Sequence, residues 1–356
     1  MSRYEETIDQ EYRTACSIPL TVVSYLGSLI YLFRADLFSA GVKRAIGRCL
    51  VANAVDSGRI NLDTNALVVH GAGNTVMAIK QAVDGLGINT KVVAVVYNET
   101  SVYIKERLQE YDIEVISESP RQEGREGRFN TAEALCYENP GYITIEQHEE
   151  PLIVDIQKRT FGQAIAHNLR SPPTHFVAGV GTGGTLFGIG SALREFNSNV
   201  KTTAVEGIGS TLTLWHAYLQ AKGFGFEAEK RAIEQALLAY QDAGMITSLK
   251  SDQSKNPDEW FEINIDFPDD TIGVVGIEGL GVGDPTELIF SNLGLVSCAE
   301  IVTDQQATKG QQVLEGHEIH AVESAGANFF TAMKIAEDLN RHGEQGYIVT
   351  VVTAGD

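Results

Sequence analysis

Short apolar runs alternate along the chain with stretches of helical periodicity, and this alternation constrains the fold more than any other feature. The runs predict buried strands at Ala66–Val69, Lys91–Tyr97, Ile113–Ile116, His175–Val180, Val200–Val205 and Tyr347–Thr353. Helices are predicted between them, from Val76 onward, at Ser101–Tyr111 and at Leu186–Phe196. Strand, helix and strand in repetition indicate parallel sheets with helices on both faces, which is an α/β fold.

The predicted strands fall into two groups, so we expect two α/β lobes, each of three layers, with a ligand cleft between them. The length of 356 residues fits two domains. The smaller, N-terminal lobe is expected at residues 50–155, and the larger lobe is expected to combine residues 1–49 and 156–356. Residues 210–270 differ, because helices are expected at Leu212–Ala221 and Ala228–Gly244, and they are predicted to form a helical insertion.

The charge balance argues against two classes of partner. Asp and Glu number 47 against 27 Lys and Arg, which gives a net charge of −20 and repels both nucleic-acid phosphates and anionic lipid headgroups. No apolar run approaches the roughly 20 residues that span a bilayer, and the polar, acidic first ten residues are unlike a signal peptide. We therefore expect a cytoplasmic protein with no nucleic-acid or membrane partner. The four cysteines lack CxxC or zinc spacing, so reduced thiols and no metal site are expected.

A glycine-rich segment, Gly179–Thr185 (GVGTGGT), lies between a predicted strand and a predicted helix. Its four glycines allow a tight turn that aims several backbone N–H groups at one point, and the positive end of the helix dipole adds to the attraction for an anion. The segment therefore predicts a site for a phosphate monoester. It lacks the Gly-Lys-Ser/Thr ending of a Walker loop, and its spacing fits a Rossmann dinucleotide loop poorly. A glycine-rich turn without ligand is disfavoured, because so many glycines lower stability.

Two other segments precede predicted helices. In Gly71–Thr75 (GAGNT), the amide of Asn74 can donate to a ring oxygen, and Thr75 is expected to cap the next helix. A further helix is predicted to begin near Val42, which places Lys43 in its first turn. Lys43 has two interpretations: a solvated lysine that tolerates the helix dipole, or a lysine of lowered pKa held as a Schiff base. These residues alone leave both open.

The order of the three segments resembles the tryptophan synthase β family of fold-type II pyridoxal-phosphate enzymes, and above all its cysteine synthase and cystathionine β-synthase branch. Other collinear segments support the resemblance: Ser17–Leu20 (SIPL) is similar to NTPL, Gln147–Pro151 (QHEEP) to QFDNP, and Glu323–Ala327 (ESAGA) to ISSGA. The resemblance covers most of the chain. It implies the fold-type II architecture, with pyridoxal 5′-phosphate (PLP) as cofactor in the cleft between the two lobes.

The resemblance also implies roles for individual residues. Lys43 would carry PLP as an internal aldimine and act as the catalytic residue. The other cofactor-binding residues would be Asn74 at the 3′-oxygen, Gly181, Thr182, Gly183, Gly184 and Thr185 at the phosphate, and Ser324 at the pyridine nitrogen. The residues that would bind substrate are Gly71, Ala72, Gly73, Thr75 and Gln147. No metal ligand is implied.

The implied reaction is β-replacement or β-elimination on a small serine-type amino acid through an aminoacrylate intermediate, catalysed by a homodimer. A neutral hydroxyl at the pyridine nitrogen limits the electron sink and favours β-elimination over transamination. The family has Thr and Ser where this chain has Gly71 and Ala72, and their hydroxyls bind the substrate carboxylate. The insertion at 210–270 is also longer than in the family. We therefore expect a specialised enzyme, for example in secondary metabolism.

Two alternatives stay open. A threonine or serine dehydratase-like deaminase shares the aminoacrylate step, so the same motifs would serve it. A non-catalytic partner protein that keeps the fold would explain the lost hydroxyls at Gly71 and Ala72. The sequence names neither the leaving group nor the nucleophile.

Overall fold

The computed structural model of the chain describes residues 1–71, 73–98, 100–119, 124–145, 150–257, 260–266, 277, 280 and 285–353. Contacts within the chain divide it into two compact units. Unit 1 is built from Met1–Pro19 and Arg34–Asn168, and unit 2 from Leu20–Phe33 and Leu169–Val352. Over the described ranges, no helix has the length and apolar character needed to cross a membrane.

Strands and helices alternate through most of the described chain. The strands are β1 (Thr21–Tyr25), β2 (Ser28–Arg34), β3 (Ala66–His70), β4 (Lys91–Tyr97), β5 (Ile113–Ser119), β6 (Tyr142–Thr144), β7 (His175–Gly179), β8 (Lys201–Gly207), β9 (Ile246–Ser251), β10 (Phe261–Asp266), β11 (Cys298–Val302) and β12 (Tyr347–Val352). The α-helices are α1 (Arg3–Cys16), α2 (Lys43–Asp56), α3 (Asn74–Gly85), α4 (Val102–Glu110), α5 (Gly124–Glu138), α6 (Leu152–Gln157), α7 (Gln163–Asn168), α8 (Gly184–Phe196), α9 (Leu212–Ala221), α10 (Phe226–Asp242), α11 (Glu287–Asn292), α12 (Asp304–Glu315) and α13 (Glu323–Arg341). A π-helix at Lys158–Gly162 joins α6 to α7, and 3₁₀ turns occur at Ala35–Leu37 and Leu293–Leu295.

The sheet of unit 1 is parallel, with the order β5-β4-β3-β6. In its register, Ala66 lies between Lys91 and Tyr142. Every residue of β3 is buried, as are the five central residues of β4. Strands buried on both faces read as continuous apolar runs, which is why the sequence predicts these two strands closely.

The larger sheet, in unit 2, has the order β1-β2-β12-β7-β8-β11. Its strands β12, β7, β8 and β11 are parallel neighbours, whereas β1 and β2 form an antiparallel hairpin at the edge. One face of this sheet packs on α13, whose buried residues include Phe329 and Met333. The predicted α/β class is confirmed, since parallel strands in both units are connected through helices.

The segment 210–270 contains the two predicted helices, with α9 at its predicted bounds and α10 two residues earlier than predicted. It also contains an antiparallel hairpin of β9 and β10, in which Ile263 pairs with Leu249, and the sequence did not predict it. The hairpin packs with both helices in a hydrophobic cluster around Tyr240 and Ile233. The insertion is therefore a mixed helix and hairpin layer.

The units divide the chain differently from the predicted lobes, whose boundaries stay a prediction. Residues 1–19, 34–49 and 156–168 were expected in the larger lobe, but by contact they lie in unit 1. The reason is packing, because a Cβ added to Gly47 of α2 would lie only 2.5 Å from the Cβ of Ala78 in α3. Helices that approach so closely belong to one compact body.

Candidate active site

Lys43 is the first residue of α2, which confirms the prediction of a helix that begins near Val42. The loop before it turns sharply, because Ala40 and Gly41 have positive φ values of 63° and 52°. Two hydrogen bonds close the turn: Lys43 N–H donates to the Ala40 carbonyl at 3.0 Å, and Arg44 N–H to the Gly41 carbonyl at 3.2 Å. A left-handed φ costs an L-residue about 1–2 kcal/mol. Such strain concentrates at functional sites.

A buried carboxylate from α1 holds the first two turns of α2. Glu11 is fully buried, accepts a hydrogen bond from Arg44 Nε at 2.9 Å, and forms an ion pair with Arg48 Nε at 3.1 Å. The arginine side chains are 22% and 30% exposed, so this ion-pair cluster is largely removed from water. Sequence reasoning missed Glu11, because its partners lie more than 30 residues away and share no local pattern with it.

The turn between β3 and α3 lies at the carboxyl end of the unit 1 sheet. Gly71 N–H donates to the Val95 carbonyl at 2.9 Å, and Gly73, with a φ of 85°, is the N-cap of α3. Asn74 is half-buried, and Thr75 is buried in the first helical turn. The prediction that Thr75 caps this helix is wrong, because the positive φ of Gly73 lets the helix begin already at Asn74.

Helices α2 and α3 contact each other near their N-terminal ends, within unit 1. Gly47 touches Ala78 there, and each of these residues is four positions after a predicted site residue, Lys43 or Asn74. Four positions are slightly more than one helical turn, a rise of about 6 Å. The structure therefore brings Lys43 and Asn74 to the same part of unit 1.

The glycine-rich segment Gly179–Thr185 joins β7 to α8 in unit 2. Gly183 is the N-cap of α8 with a φ of 88°, and a Cβ added to it would lie 2.7 Å from the ring of Phe187. Thr182 is 5% exposed, and its Oγ1 has no hydrogen-bond partner in the described part of the chain. The first N–H groups of an α-helix have no intrahelical acceptor, so α8 presents donors at this turn. A helix start with these donors and a buried hydroxyl fits an anion.

Ser324 lies in the first turn of α13, in the same unit, and is buried. Asn328, 2% exposed, follows one turn later on the same helix face. Its Nδ2 donates to the Val351 carbonyl of β12 at 3.1 Å, and its Oδ1 lies 3.3 Å from the position of a Cβ added to Gly179. The structure thus brings Ser324 and the glycine-rich segment to the same end of the unit 2 sheet. Sequence reasoning missed Asn328, although its four-residue spacing from Ser324 was a usable signal.

A buried acid connects the insertion to the unit 2 sheet. Glu206 at the end of β8 accepts hydrogen bonds from the N–H groups of Leu212 and Thr213 at 2.8 and 2.9 Å, and from the Tyr240 hydroxyl at 3.2 Å. Burial raises the pKa of the Glu206 carboxyl, while hydrogen bonds from Ser210, Thr213 and Leu212 oppose the rise. Glu206 caps α9 and so fixes the position of the insertion on β8.

The predicted site residues divide between the units. Unit 1 contains Lys43, Gly71, Gly73, Asn74 and Thr75, and unit 2 contains Gly181, Thr182, Gly183, Gly184, Thr185 and Ser324. Ala72 and Gln147 lie outside the described residues. Across the part of the chain that is described, no group of three or more His, Cys, Asp or Glu side chains could hold a metal ion.

Comparison with known proteins identifies a family and several relatives of this chain. The family model for pyridoxal-phosphate dependent enzymes matches residues 39–220. A cysteine synthase of Flavobacterium sp. is 29% identical over 167 residues, which are 46% of this chain and 52% of the relative. The O-acetylserine dependent cystathionine β-synthase of Bacillus subtilis is 29% identical over 188 residues, 52% of this chain and 60% of the relative. The chain thus matches little more than half the length of these relatives.

Solved structures match the fold over nearly the whole chain. The O-acetylserine dependent cystathionine β-synthase from Helicobacter pylori superposes with a TM-score of 0.70 at 21% identity, covering 97% of this chain and 94% of that one. A hydrogen sulfide-producing enzyme from Fusobacterium nucleatum superposes with a TM-score of 0.69 at 20% identity, covering 98% and 95%. The predicted family and fold are confirmed, and with the family its cofactor, PLP.

Proposed function

The chain belongs to the family of pyridoxal-phosphate dependent enzymes, and from that premise we propose that it catalyses β-replacement or β-elimination on a serine-type amino acid. The named activities of its relatives, cysteine synthase and O-acetylserine dependent cystathionine β-synthase, support this reaction class. The observation that carries the proposal is the helix start at Gly179–Thr185, where the first N–H groups of α8 and the buried Thr182 hydroxyl fit an anion.

The residues present at this helix start fit the phosphate of PLP. Only glycine fits at position 183, since a Cβ would strike Phe187, and a bare backbone lets an anion approach the N–H groups closely. The Thr182 hydroxyl is buried with no partner in the described chain, and a buried hydroxyl is stable only when it is hydrogen-bonded. Gly181, Thr182, Gly183, Gly184 and Thr185 would hold the phosphate.

Three other side chains would act on the pyridoxal ring and the substrate. Lys43 would hold the cofactor through Nζ and then take the proton from the substrate Cα. Asn74 would donate from its amide to the 3′-oxygen, and Ser324 would present a neutral hydroxyl to the pyridine nitrogen. When bound, PLP supplies the electron sink that stabilises negative charge at Cα.

The substrate is proposed to differ from free O-acetylserine. Gly71 and Ala72 lack the two hydroxyls that bind the carboxylate in the family, and Gly73, Thr75 and Gln147 would have to hold it instead. A Cβ added to Gly71 meets no described atom within 4 Å, which leaves room for a larger group. The proposal extends to a specialised pathway, a homodimer and the cytoplasm, and sedimentation of the purified protein tests the dimer.

A spectrum combined with peptide mapping tests the function. We expect the purified protein to absorb in the visible range, and borohydride reduction to fix PLP on the peptide that contains Lys43. Lys43→Ala should remove both the band and turnover while the protein still folds. Lys80→Ala is the matched control, because Lys80 lies in α3 of the same unit and pairs with Asp84 at 2.7 Å. Label on Lys80 or Lys158, or no PLP at all, would contradict the proposal.

A further inference from the structure

A π-helix, Lys158–Gly162, lies between α6 and α7 in unit 1. Such segments are rare, and they frequently occur at functional sites. This one, together with Gln157 just before it, contacts both ends of the strained loop that leads into Lys43. Through these two contacts, the segment from Gln157 to Gly162 can fix the position of the loop.

The first contact is aromatic. Phe161 of the π-helix stacks on Phe38, with ring centroids 5.4 Å apart and an angle of 9° between the ring planes. Both rings are buried. Phe38 is the residue at which the loop begins, since the Gly41 N–H donates back to its carbonyl at 3.0 Å. The stack therefore fixes the N-terminal end of the loop.

The second contact is a hydrogen bond. Gln157 is fully buried, and its Nε2 donates to the carbonyl of Val42 at 2.7 Å. Val42 directly precedes Lys43 and is the N-cap of α2. From α3, Gln81 Nε2 adds a bond of 2.7 Å to the Ser39 hydroxyl. The loop is therefore held at its beginning, its middle and its end.

The backbone between these contacts is strained. Ala40 holds a φ of 63°, which an L-residue adopts only when its surroundings impose it. If the contact at Val42 were lost, the loop could relax toward an unstrained conformation, and the first turn of α2 would move with it. The direction of the Lys43 side chain depends on that turn.

Gln157 also carries a cost that an apolar residue would avoid. Its Oε1 is buried and has no hydrogen-bond partner among the described residues, and a buried acceptor without a donor lowers stability. A methionine of similar size would remove this cost. Position 157 is nonetheless an amide. Among the described residues, its only hydrogen bond is the one that it donates to the Val42 carbonyl.

We propose that Gln157 is a positioning residue for Lys43. By holding the Val42 carbonyl, Gln157 fixes the first turn of α2, and through that turn it sets the approach of the Lys43 amine to PLP. The inference rests on the proposed function, in which Lys43 carries the cofactor. Gln157 and Phe161 are four positions apart, so they lie on one face of the helix and contact the same loop.

The test compares two buried polar residues of the same segment. Gln157→Met removes the bond to Val42, whereas Thr160→Val removes a bond of 2.6 Å from the Thr160 hydroxyl to the Ile156 carbonyl, inside the helix. Both variants are converted to apoprotein. The rate of PLP capture is followed by borohydride trapping and peptide mapping over a range of pH, and thermal unfolding is measured alongside.

Gln157→Met should capture PLP about tenfold more slowly than wild type, the effect of one lost hydrogen bond, with an altered pH profile. Thr160→Val should lower the melting temperature but stay within about twofold of the wild-type rate. If Gln157→Met does not fold, Gln157→Asn tests the same bond, because its amide is too short to reach Val42. Equal capture rates in all variants, with label on Lys43, overturn this inference alone. Label on another lysine in the wild type overturns the proposed function with it.

Discussion

Gly183 offers a sharp test of the phosphate-binding turn, because the effect of an added methyl group can be worked out from the structure. In Gly183→Ala the new Cβ would lie 2.7 and 2.8 Å from two atoms of the Phe187 ring and 3.2 Å from Ile289 Cγ1. These distances are below van der Waals contact, so the ring or the backbone has to move. The φ of 88° adds a second, independent cost.

The free-energy cost of the backbone conformation and that of the steric overlap can be estimated separately. A left-handed φ costs alanine about 1–2 kcal/mol, and overpacking of a full core costs about 1–3 kcal/mol. We therefore expect Gly183→Ala to lose about 2–5 kcal/mol of unfolding free energy. A backbone shift that breaks one charge-assisted hydrogen bond to the phosphate should also weaken PLP binding about ten- to a hundredfold.

Gly343→Ala separates the two costs. Gly343 has a similar φ of 73°, and a Cβ added there meets no described atom within 4 Å. This control should lose only about 1–2 kcal/mol and keep its PLP affinity. Urea denaturation of the apoproteins gives the unfolding free energies, and titration with PLP gives the affinities. If Gly183→Ala matches the control in stability and binds PLP like wild type, the turn is not the phosphate site.

Three further outcomes are expected. Glu11→Gln should lower the free energy of unfolding, measured in urea, by about 2–3 kcal/mol, because two partly buried arginines lose their counter-charge. The control is Glu6→Gln, an exposed acid on the same helix, which should change this free energy by no more than about 0.5 kcal/mol. Equal losses in the two variants would contradict the reasoning. Burial lowers the pKa of His175 from 6.5 to about 4, so the neutral ring contributes stability above pH 6.5 that is lost as the pH falls toward 4. His175→Gln should therefore flatten the curve of unfolding free energy against pH between these two values. An unchanged curve would exclude this role. Ala72→Ser should raise kcat/KM for O-acetylserine about tenfold or more if the missing hydroxyl is the cause, whereas an unchanged value in a cysteine-formation assay would mean that the carboxylate is bound elsewhere.

The parallel strands and the glycine-rich turn could be predicted because their signals are local. The run Lys91–Tyr97 is the whole of β4, since a strand buried on both faces needs apolar residues at nearly every position. Gly183 in the segment Gly179–Thr185 has a φ of 88°, which favours glycine, and a requirement of this kind leaves its mark in the composition of the segment. The roles of Lys43 and Ser324 in chemistry stay predictions.

Features that depend on distant partners could not be predicted. Nothing in the neighbourhood of Glu11 indicates that it meets Arg44 and Arg48, because the three come together only when α1 packs on α2. The π-helix at Lys158–Gly162 has no sequence signature, since tertiary contacts set the winding of a helix. The hairpin is different: Phe261–Asp266 alternates apolar and polar residues, a pattern typical of a strand.

The position of the β1–β2 hairpin has a consequence for synthesis on the ribosome. Its neighbour in the sheet is β12, whose residues Tyr347–Val352 are translated more than 300 positions after β2. At a translation rate of about 5–20 residues per second, β12 is synthesised roughly 15–60 s after the hairpin. An isolated two-stranded hairpin is marginally stable, so during this interval its edge is open to other chains. Until β12 has been made, the unpaired edge of β2 is therefore a site at which the nascent chain can aggregate.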